Sequence, residues 1–377
     1  LSVSGGLLWF NLVSMTAEGQ KPKAKDQYPI DHASVKKILV VRLRSIGDTV
    51  LATPSLIALR RHFPQAEIDI LLEDWVASVL DGFKGINVIT TGRSGAERLR
   101  TALKLRRRGY DLAFNLHGGT TATMFVAASG ARHRVGYANY QYSFLYNHLL
   151  SSSADLWGRD KTHSAEQQLA LLGSIGVPVA DRPKSRLAVS DTAKASIDAR
   201  LSQLSTLNSP VALLHPAAAF ATKQWPFENF ARVAEHLAEK GIASVAIASK
   251  NENAVLDELK RASRVPITTF DDLTLPEVTA LAARARVFVG NDSGIAHIAA
   301  AVNTPSVVIF GSSNRAHWYP WTDAPYEIVF TEFDCQPCPG YTCEVFGDPK
   351  CIKSVTAAAV TAAVYRVLAQ PHPSGVL

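Results

Sequence analysis

The chain lacks the marks of several large protein classes. Its four cysteines in 377 residues are too few for a secreted scaffold built on disulfides. No uninterrupted apolar stretch reaches the ~20 residues that a membrane-spanning helix needs. No G-x-G-x-x-G fingerprint follows the first apolar strand, which disfavours a dinucleotide-dependent dehydrogenase, and there is no Walker-type phosphate loop. The run Gly290-Asn291-Asp292-Ser293-Gly294 sets its serine one position late for the nucleophile elbow of a serine hydrolase. Charge of one sign is also scarce: 39 Lys and Arg against 33 Asp and Glu give a net charge of +6. That surplus suits anionic small molecules or an anionic membrane surface, and it is too small and dispersed to argue for nucleic acid.

What is present describes a folded chain. Hydrophobic residues make up 47% and charged residues 19%, the reverse of a disordered composition. The length suits two domains. Leu1 to Ser14 has no basic start and no small-residue cleavage site, so it is a poor signal peptide. The first methionine is Met15. Residues 1–14 are expected to be an over-long start or a loose amphipathic tail, with a weak membrane anchor as the other reading. Residues 1–35 as a whole are expected to be disordered or loosely attached.

From Lys36 onward, short β-branched runs alternate with helical periodicity. Strands are predicted at 38–41, 68–72, 88–90 and 112–116, with a helix at 96–107. The pattern loosens over 140–165. A helix is predicted at 165–175, stopped by Gly176 and Pro178, then a linker at 177–190 and a helix near 191–204. A second block follows, with strands at 211–214, 244–248, 287–289 and 306–310 and helices at 226–240, 252–262, 295–302 and 355–368. Two such blocks predict an α/β protein with two parallel, Rossmann-like sheets.

Ligands of open parallel sheets bind at the carboxyl ends of the strands. The polar residues just after strands are therefore the candidates: Ser45, Gly47, Asp48, Asn115, His117, His215, Lys223, Asp292, Ser293 and His297. After Gly290, Asp292 or Ser293 can cap the next helix. The N–H groups at Ser293 and Gly294 then face a positive helix end, and His297 lies one turn in on the same side. This fits a diphosphate, and equally a capped helix with a buried, satisfied histidine. Lys223 precedes a helix start, where two positive features conflict unless an anion lies between them; a solvated lysine is the ordinary alternative. Asp48 follows Gly47 at a helix start, which suits either simple charge complementarity or a general base. Cys335, Cys338, Cys343 and Cys351 cluster in a spacing that departs from standard zinc patterns, so structural zinc and four reduced thiols both stand. Arg98, Arg100, Lys104, Arg106, Arg107 and Arg108 form a basic helix face, solvated or turned to anionic lipid.

Three stretches carry a family resemblance: VVRLRSIGDTVLATPSLIALRRHFPQAEIDIL, TKQWPFENFARV, and VFVGNDSGIAHIAAAVNTPSVVIFG. Together they resemble the ADP-heptose:lipopolysaccharide heptosyltransferases of glycosyltransferase family 9, and the Ala316–Trp321 stretch is similar to the third core heptosyltransferases. The resemblance implies a GT-B fold. An N-terminal acceptor domain (36–185) and a C-terminal nucleotide-sugar domain (186–352) would face each other across a cleft, with the last segment (353–377) crossing back to the first domain. It implies Asp48 as catalytic base and Lys223, Asp292, Ser293, Gly294 and His297 around the donor diphosphate. Glu252 falls near the nucleoside. Arg44, Ser45, Gly47, Asn115 and His117 fall on the acceptor side. The implied reaction is inverting transfer of heptose from ADP-heptose to a lipid-linked inner core. It needs no metal and takes place at the inner face of the cytoplasmic membrane, on a peripheral cytoplasmic protein. Another nucleotide sugar or glycan acceptor, or an inactive nucleotide-binding relative, is the alternative.

Overall fold

The computed structural model describes residues 30–202, 210–338 and 340–371. Strands β1 (Lys37–Leu43), β2 (Glu67–Glu73), β3 (Asn87–Thr91), β4 (Leu112–Asn115), β5 (His133–Tyr137) and β6 (His148–Leu150) form one sheet in the order β3-β2-β1-β4-β5-β6. Strands β7 (Val211–His215), β8 (Ala243–Ile247), β9 (Ile267–Phe270), β10 (Val287–Asn291), β11 (Ser306–Phe310) and β12 (Tyr326–Phe330) form the other, in the order β12-β11-β10-β7-β8-β9. All pairings are parallel. The two orders are the same pattern repeated. Each sheet reverses direction once, between β1 and β4 and between β7 and β10. The expectation of two Rossmann-like α/β layers holds.

The central strands read as unbroken apolar runs because helices cover both their faces. Leu39, Val40 and Val41, like Leu213 and Leu214, are fully buried. Helix ends follow local chemistry. Ser94 and Glu97 form a reciprocal cap for the helix Gly95–Arg108, and Gly109, at φ 67°, ends it in the left-handed region. Pro54 sits in the first turn of the helix Thr53–His62, as its missing N–H requires.

Several elements differ from the sequence reading. Residues 1–29 of the leading segment lie outside the described residues, but 30–35 are ordered: Asp31 caps a turn at His32–Ser34, and the His32 ring meets His62 at 2.7 Å and the Ile175 carbonyl at 2.9 Å. The stretch 140–165, where the pattern loosens, holds β6 and a short helix at Ser153–Trp157, and the helix at Thr120–Ser129 and β5 just before it have no counterpart in the sequence reading. These strands are short and rich in His, Arg and Tyr, so they carry no buried-strand pattern. Strands β9 and β12 and the helix Leu275–Arg284 also escaped it. The closing helix, Ala357–Ala369, does not cross back to the first lobe. Val360, Ala363, Val364 and Val367 pack with Leu214, Trp225, Leu237 and Ile309 of the second lobe, and Arg366 holds Glu327 of β12 with two bonds, at 2.8 and 2.7 Å. Residues 372–377 lie outside the described residues. Among the described residues, no helix is long and apolar enough to cross a membrane.

The two lobes share one continuous buried cluster, which runs from Val40 and Leu59 through Ala296 and Ala299 to Leu213 and Phe288. The connecting segment runs between them. Arg186 donates its N–H to Thr53 of the first lobe, while Ser185 and Leu187 donate theirs to the Trp321 and Ala301 carbonyls of the second. The tightest approach joins the helix Ile46–Val50 to the helix Gly294–Ala301. A Cβ on Gly294 would lie 2.9 Å from Ile46 Cβ and 3.0 Å from the Gly47 nitrogen, and one on Gly47 would lie 2.7 Å from the His297 ring.

Gly294→Ala is therefore expected to cost about 1–3 kcal/mol by overpacking, read from urea denaturation. Gly95→Ala, whose Cβ meets nothing within 4 Å, should stay within about 1 kcal/mol of the parent.

Candidate active site

The strand order brings four loops to one place. Those after β1 and β4 come from the first lobe, and those after β7 and β10 from the second, all at the two reversal points. The loops after β1, β7 and β10 border a cavity of about 500 Å³. On the far side of Asp48 lies a second, of about 340 Å³. Asp48 and Trp318 border both.

Asp48 sits in the first turn after β1. Ser45 donates to Oδ2 from its hydroxyl at 3.1 Å and its N–H at 3.4 Å. Arg42 forms an ion pair with Oδ1 and donates Nε–H to the Asp48 backbone carbonyl at 3.3 Å. Burial pushes the carboxyl's pKa up, but the Arg42 charge and the Ser45 donors outweigh it and hold the group below the ordinary aspartate range. Arg42 was not singled out from the sequence. Its signal was there: an arginine inside the buried run VVRLR needs a partner. Arg42 Nη1 also meets His117 Nδ1 at 3.0 Å. Burial foremost, and then Arg42, lower the His117 pKa to about 4.

In the second lobe, Asn291 clamps two loops together. Its side chain accepts from the Trp225 N–H at 3.1 Å and donates to the Pro216 carbonyl at 2.8 Å. The fully buried Trp225 indole anchors the same loop to the Val355 carbonyl at 2.8 Å. This holds Lys223 over the cavity, where Nζ meets Asp292 Oδ2 at 2.9 Å. Ser313 donates to the same oxygen at 2.5 Å. Asp292 therefore positions Lys223 and does not cap the following helix. Ser293 occupies the cap position, but its hydroxyl makes no capping bond and lies 3.2 Å from His215 Nδ1. The first-turn N–H groups of the helix Gly294–Ala301 thus have no side-chain cap. His297, one turn in, is buried with Nδ1 unpartnered. Burial lowers its pKa despite the nearby Asp292 and Asp48 charges. His215 is lowered to about 4 by burial. Glu252 borders the cavity after β8, where its carboxylate accepts from the Ser249 hydroxyl at 2.6 Å.

Asp48, Lys223, Glu252, Asp292, Ser293, Gly294 and His297 thus share one cavity, together with Ser45 and Gly47. The other acceptor-side expectations fare differently. His117 borders the second cavity. Asn115 is fully buried: its amide donates to the Tyr146 hydroxyl at 2.7 Å and its carbonyl accepts from the His117 and Gly118 N–H groups at 2.9 Å, so it shapes the loop from inside. Arg44 is exposed and borders neither cavity. Gly47 permits close packing against His297. The four cysteines are free thiols that line a separate cavity of about 200 Å³. Among the described residues, no three His, Cys, Asp or Glu side chains are grouped as metal ligands. Of the basic helix face, Arg98 turns to Glu73 and Arg108 to Glu67 and Asp69.

The model of glycosyltransferase family 9 (heptosyltransferase) matches residues 98–346. Lipopolysaccharide heptosyltransferase 3 of Escherichia coli K12 is 27% identical over 346 residues, spanning 88% of this chain and 98% of that protein. Among solved structures, E. coli ADP-heptose lps heptosyltransferase II superposes with a TM-score of 0.74 at 23% identity, covering 88% of this chain and 98% of that one. E. coli heptosyltransferase WaaC with ADP-2-deoxy-2-fluoro heptose superposes at 0.64 with 18% identity, covering 88% and 99%. These likenesses establish the GT-B fold.

A carbon-13 titration of the Asp48 carboxyl should find it ionised at pH 7, protonating only as pH falls below the ordinary aspartate value near 3.8. In Arg42→Met, with burial unopposed by the guanidinium, the midpoint should move to higher pH.

Proposed function

The chain belongs to glycosyltransferase family 9, and from that premise we propose that it moves a heptose from ADP-heptose onto the lipopolysaccharide inner core, inverting the anomeric carbon. The observation that carries this reading is the position of Asp48. Its carboxylate stands on the boundary of two cavities, one lined by Lys223, Ser293, Gly294 and His297, the other by hydroxyl and amide side chains. A base between a donor site and an acceptor site is what a direct displacement needs. In this reading residues 36–185 form the acceptor domain and 186–352 the nucleotide-sugar domain.

Asp48 takes the proton of an acceptor hydroxyl. The oxygen attacks the heptose anomeric carbon from the face opposite ADP. The bond from that carbon to the diphosphate oxygen breaks, and its electron pair leaves with ADP. Arg42 keeps Asp48 ionised and aimed, which also makes it a weak base. It therefore takes the proton late, once the forming C–O bond has acidified the hydroxyl. Charge growing on the diphosphate is met by Lys223, by the uncapped N–H groups at Gly294 and by an N–H of His297. Glu252 suits the nucleoside hydroxyls. These fixed donors serve the leaving group without a metal, so chelation by EDTA should leave the rate unchanged.

The acceptor is lipid-linked in this reading, and the enzyme works as a peripheral protein on the inner face of the cytoplasmic membrane. The helix Gly95–Arg108 supports that placement. Leu99 and Leu103, one turn apart, are 63% and 51% exposed, amid exposed Arg100, Lys104, Arg106 and Arg107. Apolar side chains framed by cations suit an anionic interface.

Asp48→Asn should abolish transfer, followed as ADP release, while ADP binding by calorimetry survives; full turnover in that variant excludes the base role. Lys223→Ala should weaken donor binding and slow transfer ~10²–10³-fold. Replacing Leu99 and Leu103 together by Ser should reduce sedimentation with phosphatidylglycerol vesicles while leaving ADP binding intact.

A further inference from the structure

The second cavity has a chemistry of its own. We infer that it is a subsite for one neutral, unphosphorylated sugar ring of the acceptor, with Gln168 as its specificity-determining residue. The inference rests on the transferase reading above and names the substrate class at its acceptor side.

The first observation is charge. Arg42 is the one Lys or Arg among the residues bordering this cavity. Its guanidinium already serves the Asp48 carboxylate and His117. The two bordering histidines, His117 and His317, both have pKa values lowered mainly by burial, so they are neutral at pH 7. A phosphate group entering here would leave water without gaining a free cation, while facing the Asp48 carboxylate.

The second observation is Gln168. Its side chain is 95% buried, it borders the cavity, and neither Nε2 nor Oε1 has a partner. An amide offers one donor group and one acceptor group side by side, the complement of two neighbouring sugar hydroxyls. Left unmade, those bonds cost stability, and both amide atoms are closed to water here, so the amide meets a ligand by turning toward the cavity that the residue borders. Ser152, Ser164, Asn139 and Tyr137 add further neutral polar groups around it.

The third observation fixes direction. Arg42 can only donate, so His117 Nδ1 accepts and its Nε2 carries hydrogen, a donor. His317 Nδ1 meets the Thr162 carbonyl at 3.2 Å, so it carries the hydrogen and leaves Nε2 as an acceptor. A ring held by Gln168 and these two histidines reaches Asp48 with a hydroxyl, and Trp318 borders both this cavity and the donor cavity.

The test offers inner-core oligosaccharides to the full chain with ADP-heptose, before and after removal of phosphate by hydrofluoric acid, and follows ADP release. Dephosphorylated acceptors should be used at least as well. Gln168→Leu should raise the acceptor KM at least tenfold, leave the ADP dissociation constant within twofold, and keep or raise the melting temperature, since two unpartnered buried polar atoms are removed. Gln168→Met, unbranched, gives the same reading should the leucine branch disturb packing. An obligatory phosphate, or an unchanged acceptor KM in both variants, overturns the inference. If no acceptor elicits ADP release, the donor reading fails and the subsite is read directly. Saturation-transfer NMR should then detect methyl α-mannopyranoside over mannose 6-phosphate, with the signal lost in Gln168→Leu. Equal signals from the two sugars, or an undiminished signal in the variant, overturn it.

Discussion

The molecule depends on one close contact. Two helices from opposite lobes begin against each other, and glycine stands on both sides because no side chain fits between Gly294 and the Ile46–Gly47 backbone. That contact sets the distance between the lobes to within the width of a methyl group. It also sets the Asp48 carboxylate, one residue on, against the cradle of Lys223 and His297. A larger residue at either position would wedge the Asp48 carboxylate away from Lys223 and His297, which border the same cavity. The shared apolar cluster beneath it turns the contact from a touching point into a seam.

Around that seam the charges are already matched. Arg42 pairs with Asp48, and Lys223 pairs with Asp292. The two histidines nearest the helix start are buried and lowered in pKa. In the proposed reading, an arriving diphosphate meets a cavity whose one bordering lysine is shared with a carboxylate, and whose uncapped helix end supplies the uncommitted donors. Such a site discriminates by geometry, because its net field on a distant anion is small, whereas its directed N–H groups act only at contact.

The sequence made much of this legible, for physical reasons. Strand ends in parallel sheets collect ligand groups, so Asp48, Lys223 and the Asp292–His297 run were found from position alone and do meet in one cavity. Central strands were found because burial on both faces leaves an unmistakable apolar run. Strands β5, β6, β9 and β12, at or next to the sheet edges, were not, since weaker burial permits polar residues. Partnerships across the chain were the hardest. Nothing local distinguishes Asn115, which turns inward, from His117 two residues on, which opens to a cavity. Nothing near Gln168 foretells an amide without partners. The closing helix was placed against the first lobe by the resemblance alone; its Ala- and Val-rich face names no partner, and the packing against Trp225 and Ile309 decides.

The connecting segment at 185–187 has a consequence for the whole chain. It donates hydrogen bonds to Thr53 on one side and to Ala301 and Trp321 on the other. Each half is therefore finished by strands of backbone that belong to the joint, and neither half owns a complete surface. Heat or denaturant should find a single melting unit where the topology suggests two. The halves made separately would each present part of the shared apolar cluster to water, so the two halves fold and unfold together.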